Sequence, residues 1–122
     1  MNEIDFDALP EAEKYRLAFY FIHQLFSYCL SLDNPSGNEA LKDADVLENP
    51  AEYLCRTKAL CLKIGLNKAD RIKELTLDTS DLLDDISWDL ENKFKIVCKN
   101  SDSELPNIYE TFPCSIFSLK VN

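Results

Sequence analysis

The chain has 122 residues and carries 22 acidic against 13 basic side chains, for a formal charge of −9. That length is one domain and buries about two-thirds of the surface its unfolded form exposes, so a core forms without disulfides or a structural metal. The hydrophobic share of 46% excludes disorder, two glycines argue against a turn-rich all-β fold, and the missing Gly-rich motifs exclude a phosphate-cradling loop.

The charge disfavours direct binding to nucleic acid or to an anionic membrane surface, because both are recognised through Lys and Arg. A protein partner with a basic surface suits the field better. The five cysteines contain no CxxC pair and a single histidine is present, so no metal site and no cofactor are expected. Most of the cysteines lie among apolar neighbours and read as reduced, buried thiols of a cytoplasmic protein. The first seven residues are acidic and lack the basic start of a signal peptide, and the apolar run 17–22 is far short of a membrane span.

The expected architecture is all-α: a small bundle of four to five helices with a C-terminal extended arm or short hairpin packed on it. Residues 1–9 read as an acidic lead, 10–99 as the helical body and 100–122 as the arm. A first helix is predicted over 10–32, with Pro10 in its first turn and Glu11 and Glu13 complementing the positive end of its dipole. Its apolar residues cover more than half the circumference and leave a polar stripe of Glu13, Arg16, Tyr20, His23, Gln24, Ser27 and Ser31, which marks it as the enclosed central helix. The cluster from Asp33 to Asn38 ends it. A short helix over 39–47 follows. Asn49 then caps a helix that starts at Pro50 and stops at Gly65. A weaker helix is predicted over 68–75.

Ser80 reads as the N-cap of a long helix over 81–99, with Leu82, Leu83, Ile86, Leu90, Phe94 and Val97 facing inward. Aspartates fill its first turns and lysines its last, in the order the helix dipole favours. Beyond it, the alternation of Phe117, Leu119 and Val121 with Ser118 and Lys120 reads as extended chain. Such an arm closes its own bundle or pairs with a second copy, and a homodimer is compatible with it.

Trp88, the lone tryptophan, falls opposite the inward stripe of the long helix, among Asp84, Asp85, Glu91 and Asn92. An indole within an acidic face has the make-up of an interface anchor, although a large aromatic is more often covered by another segment. The run Asp78, Asp81, Asp84, Asp85, Asp89 and Glu91 contains no base and fits a basic cleft; a solvated helix face is the simpler alternative. The expected partner-binding set is Trp88, Asp81, Asp84, Asp85, Asp89 and Glu91. Arg56, Lys58, Lys63, Lys68, Arg71 and Lys73 form an opposing basic patch that contacts nucleic acid or an acidic partner, or balances the acids within the fold; the lack of stacking aromatics from Lys58 to Lys73 weakens the nucleic-acid reading.

Arg16 and His23 lie seven residues apart on one helix face. The spacing resembles the active-site motif of HEPN ribonucleases, which are small all-α proteins. The resemblance implies His23 as general base toward a ribose hydroxyl and Arg16 as stabiliser of phosphoryl charge. It covers these two residues only, and Leu17 stands where that motif usually has a polar residue. No complete catalytic set is evident, so the leading expectation is a non-enzymatic, acidic interaction module. Within that class an inhibitor of the immunity, antitoxin or anti-defence type fits best. The alternatives are the ribonuclease and an adaptor subunit assembled through its arm.

Overall fold

The structure, a computed structural model, describes residues 4–34, 41, 44–97 and 115–121. Among these are four α-helices: α1 (Glu11–Ser31), α2 (Ala44–Glu48), α3 (Pro50–Lys63) and α4 (Thr79–Val97). Two-residue strands β1 (Ile4–Asp5) and β2 (Leu119–Lys120) lie near the two ends of the chain.

The first helix is as central as its apolar content requires. The α4 helix packs along it, and α3 and α2 also touch it. An edge-to-face contact between Tyr15 and Phe94 at one end and a bond from His23 to Ser87 further along fix the two long helices as antiparallel. The polar stripe is narrower than expected: Tyr20, Gln24 and Ser31 are buried. Neighbours on several sides leave little of α1 facing water, and Ser31 meets its hydrogen-bonding need locally by donating to the Tyr28 carbonyl at 2.7 Å. Pro10 stands just before the helix, and its carbonyl accepts from the Lys14 amide.

Both ends of α3 form where the sequence marks them. The Asn49 side chain accepts from the Glu52 amide at 3.2 Å, and Pro50, which has no amide hydrogen to leave orphaned, opens the helix. At the other end the Leu66 amide donates to the Cys61 carbonyl and the Gly65 amide to the Leu62 carbonyl, with Gly65 at φ +85°. This is a Schellman closure, and burial of Leu66 supplies its apolar contact.

The helix expected over 68–75 is a single 3-10 stretch, Asn67–Arg71. The chain turns extended at Ile72 because that side chain enters the core and Lys58 donates to its carbonyl at 2.7 Å. Ser80 is not a cap. The α4 helix begins one residue earlier, and the Ser80 hydroxyl donates back to the Leu77 carbonyl while Thr79 braces the preceding turn through Glu74 and Thr76. The inward stripe holds at Leu83, Ile86, Leu90 and Phe94; Leu82 is half-buried. Val97 is exposed, because the turn beyond Phe94 stands opposite the polar first turn of α1.

Within the acidic lead, the described residues 4–9 are built into the fold. Ile4 pairs with Leu119 and Asp5 with Lys120 in parallel register, and Phe6 is fully buried. The described part of the arm, 115–121, therefore packs on its own chain and pairs with the N-terminal segment rather than forming a hairpin within 115–121. Ile116 and Leu119 are buried, Arg56 of α3 donates to the Leu119 carbonyl and covers the Phe117 ring, and the Ser115 hydroxyl donates to Asp45 of α2. Residues 1–3 of the predicted lead, 35–38 of the predicted turn cluster, 39–43 of the short helix apart from Leu41, Cys98 and Lys99 of the predicted long helix, and 100–114 and 122 of the predicted arm lie outside the described residues.

Candidate functional site

The outer face of α4 is where the sequence concentrates unlike groups. Residues three, four and seven apart share a helix face, so Trp88 is flanked by Asp84 and Asp85 toward the N-terminus and by Glu91 and Asn92 toward the C-terminus, with Asp81 and Lys95 one further turn away. Trp88 is 65% exposed, and Asp81, Asp84, Asp85, Asn92 and Lys95 are exposed with it. Ile96, at 75%, adds a second bare apolar group toward the C-terminal end. The expected set does not all point one way. Asp89 turns toward the 3-10 stretch and pairs with Lys68 at 3.3 Å, and Glu91 is half-buried at the seam with α1. The face also contains a base, Lys95, that the run ending at Glu91 did not include.

The basic patch is largely used within the fold. Arg56 holds Glu52 and the arm, Lys58 the Ile72 carbonyl, Lys63 reaches Asp7 at 3.5 Å, Lys68 pairs with Asp89, and Lys73 caps the Asp70 carbonyl. Among the described ion pairs, one joins the basic patch to the acidic run, Lys68–Asp89, whereas the carboxylates flanking Trp88 have no described Lys or Arg partner within salt-bridge distance.

His23 lies half-buried where α1 meets α4. Its ring stacks obliquely on Phe19, 4.3 Å between centroids, and stands edge-on to Phe26 at 6.5 Å. Its Nε2 is 2.9 Å from the Ser87 hydroxyl. Burial pushes its pKa below the ordinary value, with Glu91 and then Asp84 pulling the other way. Sequence reading missed this pairing, because the two residues are 64 positions apart and no local spacing links them. The distance is that of a nucleophile and its base, yet the serine is itself buried in the seam. Arg16, two turns before His23, pairs with Glu13 at 3.7 Å.

Burial drives the Cys29 thiol to about 11 and the Cys61 thiol to about 12, which keeps both protonated and unreactive. Cys55 is exposed beside an open groove of about 330 Å³ between Tyr28, Leu54, Lys73 and Leu75. Among the described residues no group of three or more His, Cys, Asp or Glu could hold a metal ion, and no helix is long and apolar enough to cross a membrane. No family model matches the chain, and no curated protein or solved structure is significantly similar to it.

Proposed function

We propose that the protein is a non-enzymatic interaction module whose α4 face, centred on Trp88, docks against a basic surface of a partner protein. The observation that carries this reading is an indole 65% open to water beside the exposed carboxylates of Asp81, Asp84 and Asp85. Water gains nothing from a bare indole, whereas a partner pocket lined with Lys and Arg desolvates it and supplies the counter-charges; tryptophan is among the commonest anchors of this kind. Within the class, an inhibitor that occupies a basic active site fits the net charge best, as an immunity protein, antitoxin or anti-defence protein does. The free thiols of Cys29, Cys55 and Cys61 suit a reducing, cytoplasmic setting. Less support falls to the Arg16–His23 alternative, because the His23 Nε2 is engaged with Ser87 and its ring packs on Phe19 and Phe26.

The test is capture of a partner from the native host by the wild-type chain, repeated with Trp88→Ala and with the charge reversals Asp84→Lys and Asp85→Lys. The expected outcome is a partner with a basic functional site, inhibited on binding, and lost with each variant. A partner retained at undiminished affinity by all three would overturn the assignment to this face.

A further inference from the structure

The acidic face has a titratable group built into its edge. Counting along α4, Ser87 lies between Asp84, three residues before it, and Glu91, four residues after it, so the three share one strip of helix surface. The same Asp84 and Glu91 flank Trp88 on the other side. His23 enters this strip from α1 and meets Ser87 at 2.9 Å. Ser87 of α4 thus bonds the imidazole, Phe19 and Phe26 of its own helix pack against it, and Glu91 and Asp84, on the same strip of α4 as Ser87, act on it electrostatically. Along α1 the nearest charged side chains are Arg16, two turns before it, and Asp33, beyond the helix end.

We propose that His23 makes the α4 face pH-sensitive: an imidazolium at this seam takes up the charge of Asp84 and Glu91 and competes with a cationic partner for the same two carboxylates. The inference rests on the proposed reading of that face and names its regulation. At neutral pH the ring is uncharged, bonded to Ser87, and both carboxylates are available. On acidification one proton from solvent adds to the ring. Burial of the ring delays this step, and Glu91 and then Asp84 favour it. The sign of the coupling follows from linkage. A cation held at Asp84 and Glu91 opposes the protonated ring, so binding lowers the midpoint at which His23 titrates, and by reciprocity protonation weakens binding. Affinity is full above the ordinary histidine range and falls as the pH drops through the depressed midpoint.

The probe is a deca-lysine peptide, added at low ionic strength to the intact chain, with affinity read by calorimetry at about pH 7.5 and about pH 5, where most Asp and Glu side chains remain ionised. Wild-type affinity is expected to fall by about threefold or more, and that of His23→Gln, which keeps a hydrogen-bonding side chain opposite Ser87, by less than about twofold. In parallel, NMR titration of the single histidine is expected to show its midpoint moving down when the peptide is bound; this measurement stands even if the variant fails to fold. An unchanged midpoint with peptide bound, or an equal loss of affinity in His23→Gln, overturns the coupling while leaving the docking face intact. Failure of the peptide to bind at about pH 7.5 refutes the docking face itself, and the coupling falls with it.

Discussion

At the scale of single residues, the contrast between Trp88 and His23 separates surface chemistry from packing. Both sit on polar stripes when the sequence is projected onto helices. One is in water, and the other is half enclosed by Phe19, Phe26 and Ser87. The position of Trp88 opposite the apolar stripe of α4 was legible, because that stripe sets the helix rotation; whether another segment covers the indole was not, since that depends on tertiary packing. Nothing local reported the surroundings of His23, which depend on which residue of a distant helix lies across from it. The two positions differ in their expected response to change. Truncating Trp88 to alanine removes a side chain with little packing, so thermal unfolding should change by no more than about 0.5 kcal/mol, roughly 2 °C in Tm for a domain of this size. A fall of several degrees on calorimetry would show that the indole supports the fold instead.

At the scale of elements, legibility followed the strength of the caps. The α3 helix was readable to within a residue because Asn49, Pro50 and Gly65 act through their own backbone geometry, whatever the tertiary surroundings. The segment 68–75 was not, since its apolar residues at helical spacing are too few to commit the backbone. Burial of Ile72 and the Lys58 bond to its carbonyl decide the outcome, and both are tertiary. Ser80 failed as a cap for a related reason: three successive backbone bonds, from Thr79, Ser80 and Asp81 to residues three positions earlier, start the turn before the helix and move its origin back. The Gly65 position offers a clean test. Its φ of +85° is one that residues with a Cβ rarely adopt, and an added Cβ would stand 3.2 Å from Lys93 Nζ, the movable end of a side chain. The cost of Gly65→Ala is thus mainly backbone strain, about 1 to 2 kcal/mol in denaturant unfolding, and a neutral variant would mean that the closure relaxes.

At the scale of the whole molecule, the two ends of the chain meet, and this was the part least visible in the residues. Two-residue strands carry no periodicity, and a lead with several acids gives no hint that Phe6 is fully enclosed. The clasp of Ile4–Asp5 with Leu119–Lys120, fastened by Arg56 and Asp45, ties the arm to α3 and α2. Phe6→Ala should therefore be among the most damaging single changes, at about 3 to 5 kcal/mol. Hydrogen exchange should show the residues 115–121 losing protection along with it; retained protection there would mean that the clasp does not depend on Phe6. Within 115–121, Ile116 and Leu119 are buried and Phe117 and Val121 half-buried, and among the described residues the two most exposed large apolar side chains, Trp88 and Ile96, both lie on α4.

The chain contains one tryptophan, and it stands in the middle of α4. The molecule thus carries its own optical label at the place of interest. In the free protein the indole emission should lie toward the red, as befits a water-bathed fluorophore. Any occupant that covers it should move the emission blue and shield it from iodide quenching, with no dye attached and no second indole contributing background.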